Sequence, residues 1–241
     1  KSKYFKNNLY GTIALLEAMK ECKIKKIIFS STAAVYGDSN KSKINESHKL
    51  SPINAYGLTK LLCENSIKTM KKIDNIDYII LRYFNASGSD FKSKIGELHY
   101  PETHLIPKLS IAYCQKNDFY VYGKNYKTKD GTCIRDFIHV LDLAEAHVIS
   151  LKYILNHNTA ETYNLGTGKG YSIKKIIGIF EEITKTKITI KYAKERMYDP
   201  KRLVADPKKF NLQFKWKANR SDPYNIIYSE LKWRKKQFKV N

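Results

Sequence analysis

Residues 25–32 read KKIIFSST, and residues 77–83 read DYIILRY. Each run is short, apolar in the middle and polar at its ends, which is typical of a strand buried on both faces of a parallel sheet. Apolar residues recur at helical spacing in residues 4–21 and 55–72, so a helix is predicted before each strand. This alternation of helix and strand indicates an α/β fold built on a parallel sheet.

The chain after residue 85 is less regular. Loops are predicted at 84–103 and 123–136, and shorter helices and strands lie between and after them. Long loops that join mixed elements beside a sheet often build a substrate site. We therefore expect a smaller mixed α/β region that binds a substrate.

The charge of the chain is strongly positive. It has 44 Lys plus Arg against 23 Asp plus Glu, a formal net charge of +21. Such a surface attracts polyanions, so a nucleic-acid or acidic-membrane partner is one interpretation. The lysines are nevertheless scattered along the chain and accompany many Asn and Ile residues, which favours compositional drift. We therefore expect no nucleic-acid partner.

The four cysteines are Cys22, Cys63, Cys114 and Cys133. No two of them have Cys-x-x-Cys spacing, so neither a metal site nor a thioredoxin-type site is predicted. Isolated thiols fit a reducing cytoplasm. No apolar run approaches the roughly 20 residues that span a bilayer, and the first residues lack the apolar core of a signal peptide. We expect a cytoplasmic protein without a membrane partner.

Tyr56 and Lys60 are four residues apart on a predicted helix, so their side chains share one face. A phenol has a pKa of about 10, which a neighbouring ammonium lowers. Such a pair can exchange a proton with a substrate hydroxyl, although the same spacing also occurs in ordinary surface pairs. Thr32 ends the strand upstream, and ligands of open α/β sheets bind beyond the carboxyl ends of strands. Thr32 is therefore expected to hydrogen-bond the same hydroxyl.

Longer motifs extend this pattern over nearly the whole chain. They are FSSTAAVYG at 29–37, YGLTK at 56–60, LRYFN at 81–85 and DGTCIRDFIHV at 130–140, with further matches at 103–107, 122–126, 163–168 and 199–206. Together they resemble the extended short-chain dehydrogenases, and among these the NAD-dependent nucleotide-sugar 4-epimerases. The resemblance implies a truncated Rossmann-type parallel sheet with a smaller mixed α/β substrate-binding domain. Residues 1–85 would be the C-terminal portion of the NAD-binding Rossmann domain. Residues 86–241 would mainly bind substrate, with some elements returning to the Rossmann sheet.

The resemblance also implies a reaction, the interconversion of UDP-glucose and UDP-galactose by an isomerase. Tyr56 would take the proton of the sugar 4-hydroxyl while NAD⁺ takes the hydride from carbon 4. The keto sugar would then turn over and receive the hydride on its other face. Thr32 would hydrogen-bond the reacting oxygen, and Lys60 would lower the pKa of Tyr56 and hold the nicotinamide ribose.

The resemblance further implies the residues that contact each ligand. Cofactor contacts are expected at Asn7, Thr32, Tyr56, Lys60 and Phe84. Contacts with the nucleotide-sugar are expected at Asn85, His104, Leu105, Tyr120, Tyr122, Arg135, Arg196 and Asp199. The two arginines suit a diphosphate, because a guanidinium binds its oxygens bidentately. The chain departs from the family at His104, where Asn is common, and at Tyr198, where Gly is usual.

Several alternatives stay open. Leu203 occupies the position that limits room for an N-acetyl group, so an epimerase of UDP-N-acetylhexosamines is one. A 4,6-dehydratase is disfavoured, because Ala33 and Ala34 stand where dehydratases carry acidic residues. The family's Gly-rich pyrophosphate turn has no counterpart here, and GTGKG at 166–170 is interpreted as a structural turn. We therefore expect the chain to lack the family's N-terminal part and to bind NAD⁺ weakly by itself, so an inactive truncated remnant is another alternative. Whether the chain forms a homodimer is also left open by the sequence.

Overall fold

The computed structural model describes residues 2–39 and 41–240. Its α-helices α1 to α8 are, in chain order, Ser2–Tyr4, Gly11–Glu21, Ala55–Asp74, Leu105–Gln115, Val140–Asn156, Ile173–Thr184, Lys208–Phe214 and Pro223–Phe238. Its strands β1 to β10 are Lys26–Thr32, Asp77–Tyr83, Asn85–Ser87, Phe119–Tyr122, Ile134–Arg135, Phe137–His139, Ala160–Leu165, Tyr171–Ser172, Ile190–Ala193 and Arg202–Leu203. A π-helical segment, Phe5–Tyr10, joins α1 to α2, and a 3-10 turn, Ala33–Tyr36, follows β1. No helix within these described ranges is long and apolar enough to cross a bilayer.

The main sheet consists of three parallel strands in the order β1-β2-β7. The predicted strand at residues 77–83 is confirmed as β2, and β1 begins one residue later than predicted. Thr32 lies opposite Tyr83, and Tyr83 lies opposite Leu165, so the three strands end together at one edge. The predicted α/β class with a parallel sheet is therefore confirmed.

Side chains of β2 alternate between two apolar clusters, one on each face of the sheet. Tyr78 and Ile80 pack with residues of α2 and α3, whereas Ile79 and Leu81 pack with residues of α5 and α7. Each fully buried Ile or Leu stabilises the fold by roughly 1.5–3 kcal/mol. Burial on both faces explains why this strand is continuously apolar instead of alternating.

A second apolar core lies outside the main sheet. It contains side chains from α4, β4, α6 and α8, and β4 pairs in parallel with β9. The core members with the lowest exposure include Ile106, Leu109, Val121, Phe180, Ile226 and Ile227. This cluster gives the later part of the chain its own packing, while β7 pairs with β2 in the main sheet.

The predicted loops were wrong in part, because short strands interrupt them. β3 lies within residues 84–103 and pairs with β6, and β5 lies within residues 123–136 between β10 and β8. Each of these strands has only two or three residues. Runs that short carry no readable periodicity, and their partners come from distant parts of the chain.

A buried ion pair crosses from α3 to β2. Arg82 Nε and Nη2 donate to the two carboxylate oxygens of Glu64 at 2.9 and 2.5 Å, and both side chains are buried. Ser31 also donates to Glu64 at 2.5 Å, and Arg82 Nη1 donates to the Tyr36 hydroxyl at 3.0 Å. Tyr36 in turn donates to Asn164 on β7 at 2.7 Å. This network therefore links α3, the 3-10 turn and all three strands of the main sheet.

The charge of Glu64 depends on this network. Burial alone would raise the pKa of its carboxyl, but the hydrogen bonds and positive charge of Arg82 outweigh burial and lower it. A carboxyl whose pKa is lowered by folding stabilises the fold above its unfolded pKa of about 4.3. That contribution is lost as the pH falls through the lowered value.

We predict that Arg82→Met lowers the free energy of unfolding by about 3–5 kcal/mol, because it leaves the Glu64 carboxylate buried without its cation. Lys187→Met is the matched control, since Lys187 is 91% exposed in its ion pair with Glu181 and should change stability by less than about 1 kcal/mol. Urea unfolding at pH 7 measures both. The difference between Arg82→Met and wild type should shrink below pH 4, and equal losses in the two variants would contradict the prediction.

Candidate active site

The start of α3 lies against the turn that follows β1. Asn54 caps the helix, and its side-chain oxygen accepts the N–H of Gly57 at 2.8 Å. A Cβ atom at Gly57 would lie 2.4 Å from the carbonyl oxygen of Ala34, which is closer than any real contact. Glycine therefore permits the approach that brings Tyr56, the preceding residue, beside Thr32 at the end of β1.

Tyr56 has a raised phenol pKa in this structure. Burial is the main cause, the neighbouring phenols of Tyr83 and Tyr4 add to it, and a hydrogen bond with Thr32 opposes it. The ring of Tyr4 lies 5.6 Å from that of Tyr56, centroid to centroid. Tyr56 and Thr32 thus lie side by side at the end of β1, and the phenol is a hydroxyl donor in an apolar aromatic surrounding.

The ammonium of Lys60, which was expected to lower the pKa of Tyr56, is bound to strand β1. Its Nζ donates to the backbone carbonyl of Ser30 at 2.9 Å and lies 4.8 Å from the centroid of the Phe29 ring. Burial lowers the pKa of this ammonium. In this structure the ammonium is bound to the strand and burial dominates at Tyr56, so the lowering of the phenol pKa by Lys60 stays a prediction.

Most of the predicted site residues line one cavity of about 1160 Å³, called the central cavity below. These are Thr32, Tyr56, Phe84, Asn85, His104, Leu105, Tyr120, Tyr122, Arg135, Arg196 and Asp199. The predicted residues outside its lining are Asn7 and Lys60. Asn7 is exposed on the π-helical segment, where its neighbour Asn8 donates to Thr59 of α3 at 3.0 Å.

The two arginines of the central cavity differ in their partners. Arg135, on β5, forms an ion pair with Asp199. Arg196 stacks over the Tyr122 ring at 4.2 Å from its centroid, and it forms no ion pair with any residue in the described ranges. The guanidinium of Arg196 can therefore offer its charge to an anionic ligand, whereas that of Arg135 already has one carboxylate partner.

Three further cavity residues have defined surroundings. The backbone and side-chain N–H groups of Asn85 donate to the Asp136 carbonyl at 2.9 and 3.1 Å. Phe84 is buried beside Ala33 and Val35. His104 immediately precedes α4, and its Nδ1 lies 2.5 Å from Glu97, which raises the pKa of the imidazole. These residues connect the strand ends of the main sheet to the later part of the chain.

The turn after β7 is structural, as the sequence predicted. The N–H groups of Thr167 and Gly168 and the Thr167 hydroxyl all donate to the Asp136 carboxylate, at 2.6–3.2 Å. Burial raises the pKa of that carboxyl. Since these amides already donate hydrogen bonds to a buried carboxylate, they are not available to a pyrophosphate.

Sequence reasoning missed several cavity residues. Tyr4 and Tyr83 flank Tyr56, and nothing in their local sequence distinguishes them from core aromatics. Lys108 lies 5.6 Å from the centroid of the Tyr122 ring, and its position one helical turn after His104 is a signal that could have identified it. Tyr198 has a left-handed backbone with φ of 62°, a conformation that glycine adopts more easily, and this fits the glycine that the resemblance leads one to expect at this position.

The comparisons with known proteins agree with this geometry. The defining pattern of the "NAD dependent epimerase/dehydratase family" matches residues 1–166. UDP-glucose 4-epimerase of Rhizobium meliloti is 41% identical over 235 residues, which cover 97% of this chain and 71% of the relative. The chain belongs to the NAD-dependent epimerase/dehydratase family. It spans about 71% of the length of that relative.

Solved structures extend the comparison for this epimerase family member. UDP-glucose 4-epimerase from Bifidobacterium longum, in complex with NAD⁺ and UDP, superimposes with a TM-score of 0.92 at 35% identity, over 97% of this chain and 70% of that one. The UDP-Glc/GlcNAc 4-epimerase of Campylobacter jejuni superimposes with a TM-score of 0.78 at 33% identity, over 97% of this chain and 71% of that one. The Rossmann-type character of the predicted sheet is thereby confirmed.

We predict that Gly57→Ala destabilises the protein by about 1–3 kcal/mol, because the new methyl group forces α3 away from Ala34. Gly178→Ala is the matched control. Gly178 is a helical glycine with nothing within 4 Å of an added Cβ, so alanine there should stabilise by up to about 1 kcal/mol. Thermal and urea unfolding of the two variants should show changes in stability of opposite sign. A stabilised Gly57→Ala protein would contradict the close approach.

Proposed function

We propose that this chain carries the active site of an isomerase that interconverts UDP-glucose and UDP-galactose, with NAD as its hydride carrier. The observation that carries the proposal is that one cavity holds Tyr56 and Thr32 together with Arg135 and Arg196. The first pair can exchange a proton with a sugar hydroxyl, and the second pair can bind a diphosphate. The names of the relatives support the same reaction.

The residues present fit the nicotinamide end of NAD. Phe84 and Thr32 line the same cavity as Tyr56, and the apolar ring of Phe84 suits a hydride transfer that is kept away from water. Asn7 and Lys60 are proposed as further contacts, with Lys60 on the ribose. When bound, NAD⁺ supplies a reversible acceptor for the hydride of sugar carbon 4.

Tyr56 is the proposed acid and base at the sugar 4-oxygen. As phenolate it accepts the hydroxyl proton, and as phenol it returns the proton when the keto sugar is reduced. Thr32 orients the same oxygen through its hydroxyl. Because burial raises the phenol pKa here, the phenolate needs a positive partner. We propose that Lys60 leaves the Ser30 carbonyl when ligands bind and lowers the pKa of Tyr56.

The opposite part of the cavity is proposed to hold the nucleotide-sugar. Arg196, with its free guanidinium, and Arg135, with its partner Asp199, are suited to the diphosphate. The remaining proposed contacts are Asn85, His104, Leu105, Tyr120 and Tyr122.

An epimerase of UDP-N-acetylhexosamines is the second candidate. Leu203 lines the cavity and packs beside Phe84 and Ala205, so its size sets the room beside the sugar. The Campylobacter relative, whose name includes GlcNAc, favours keeping this candidate. Comparing turnover of UDP-galactose with turnover of UDP-N-acetylgalactosamine distinguishes the two.

We also propose, as the sequence led us to expect, that residues 1–85 bind NAD and that residues 86–241 mainly bind the substrate. A homodimer is proposed because Leu15 and Leu58 are exposed on α2 and α3, which pack on the same face of the main sheet. A cytoplasmic location agrees with four free cysteines, Cys22, Cys63, Cys114 and Cys133.

Residues 1–241 by themselves are expected to bind NAD⁺ weakly. The amides of Thr167 and Gly168, in the glycine-rich turn after β7, serve Asp136, and the relatives with NAD are longer chains. The test compares NAD⁺ affinity and UDP-galactose turnover for residues 1–241 and for the protein expressed from the full reading frame of the gene, whatever its length. A full reading-frame product that binds UDP-galactose but forms no UDP-glucose would overturn the proposed reaction.

We predict that Tyr56→Phe reduces kcat about 10²- to 10⁴-fold while KM changes little, because only the proton transfer is lost. Tyr228→Phe is the control, since Tyr228 is exposed on α8 away from the cavity. Both variants are assayed for UDP-galactose turnover in the protein expressed from the full reading frame. Full turnover by Tyr56→Phe would exclude Tyr56 as the acid and base.

We predict that Arg196→Met weakens the binding of UDP about 10- to 100-fold, which corresponds to loss of charge-assisted hydrogen bonds of roughly 1.5–3 kcal/mol. Lys194→Met removes the same charge two residues away, from an exposed side chain outside the cavity lining, and should leave the affinity within about twofold. Calorimetric titration of residues 1–241 with UDP measures both. An equal loss in both variants would indicate a general charge effect instead of a contact.

A further inference from the structure

Four side chains with metal-binding chemistry meet before α4, at the rim of the central cavity. They are Glu97, His99, Glu102 and His104, and one ligand atom from each lies within 4.8 Å of all the others. Two of the six histidines of the chain are in this group. The group is called the 97–104 cluster below.

The distances in the 97–104 cluster are close to those of a coordination sphere. Glu97 Oε1 lies 2.5 Å from His104 Nδ1 and 3.1 Å from His99 Nδ1. Glu102 Oε1 lies 3.7 Å from His104 Nδ1. Nitrogen and oxygen ligands at about 2.0–2.2 Å from a tetrahedral zinc ion are roughly 3.3–3.6 Å apart. Shifts of about 1 Å bring these three contacts to that spacing, and the other pairs of ligand atoms start from within 4.8 Å of one another.

Glu97 and Glu102 are held from behind by α8. Arg234 is buried and donates to Glu102 Oε2 at 3.0 Å. Glu102 Oε1 accepts the backbone N–H groups of Thr103 and His104 at 2.8 and 2.9 Å and lies 3.6 Å from His99 Nε2. Arg234 is itself held by Glu230 at 2.6 Å. Trp233 donates to the backbone carbonyl of Glu97 at 3.2 Å. Outer partners of this kind orient metal ligands and reduce the cost of assembling them.

The alternative is an ordinary pair of histidine–glutamate hydrogen bonds. Such a hydrogen bond accounts for the contact of His104 with Glu97, but it requires only one imidazole. Here a second imidazole, His99, lies with its ring 5.4 Å from that of His104, and a second carboxylate lies beside both. Among the described residues, Arg234 is the permanent cation paired with these carboxylates. A divalent cation would satisfy both carboxylates and both imidazoles together.

We propose that the 97–104 cluster is a binding site for a divalent transition metal ion, with Zn²⁺ as the preferred ion. Two imidazole nitrogens and two carboxylate oxygens suit Zn²⁺ or Co²⁺ and disfavour Mg²⁺ and Ca²⁺, which take all-oxygen sites. The bound ion ties residues 97–104 to α8 through Arg234 and Trp233. The expectation of no metal site was based on the spacing of the cysteines. That spacing gives no information about the Glu-x-His-x-x-Glu-x-His pattern at residues 97–104.

The test is a titration of untagged residues 1–241 with Zn²⁺ and, separately, with Co²⁺, without any nucleotide present. We expect one ion per chain by calorimetry and visible absorption typical of tetrahedral Co²⁺. Mg²⁺ in excess should displace neither ion. Because no sugar nucleotide or NAD enters this measurement, its result is independent of the proposed epimerase reaction.

The double variant His99→Ala/His104→Ala should weaken Zn²⁺ binding at least 10-fold and abolish the tetrahedral Co²⁺ spectrum. Both histidines are 40% or more exposed, so the fold should tolerate the change, which circular dichroism checks. Glu97→Gln keeps the side-chain shape and should also weaken binding. His157→Ala, at an exposed histidine at the end of α5, is the matched control and should bind like wild type. Unchanged binding by the double variant, or no binding by wild type, overturns the site.

Discussion

The buried pair of Glu64 and Arg82 is the interaction on which the arrangement of the active-site elements depends. Glu64 comes from α3 and Arg82 from β2, and their partners Ser31, Tyr36 and Asn164 bring in β1, the 3-10 turn and β7. Removing either charge would leave the other in the apolar layer between helix and sheet, which is costly. The pair therefore keeps α3 in one position above the strand ends, and Tyr56 is on the first turn of α3.

The position of Tyr56 also depends on the absence of a side chain at Gly57, the next residue of α3. Gly57 has no side chain, so the helix can approach the Ala34 carbonyl and bring the phenol to Thr32. The later part of the chain completes the cavity from the opposite side, with Arg135 on β5 and Arg196 above Tyr122. Tyr56 and Thr32 thus face the same space as Arg135 and Arg196, although these residues come from distant segments.

Much of the main sheet could be predicted because its elements are long and locally patterned. DYIILRY is buried on both faces, so its apolar run marks β2 without reference to the remaining chain. β3 and β5 could not be predicted, since two or three residues show no periodicity and pair only with distant strands. For the site, the motifs identified the residues that line the cavity, but the contacts of Lys60 with Ser30 and of Tyr4 with Tyr56 required the packed structure.

The sequence by itself determined the α/β class, the family, and the side chains at the strand ends and on the first turn of α3, because these follow from local periodicity and from motifs of adjacent residues. Only the tertiary structure decided the electrostatic state of the site. Burial raises the pKa of Tyr56, the Ser30 carbonyl binds the ammonium of Lys60, and Asp199 pairs with Arg135, while Arg196 has no ion pair within the described part of the chain. These properties depend on desolvation and on partners far apart in the chain, neither of which a local pattern encodes.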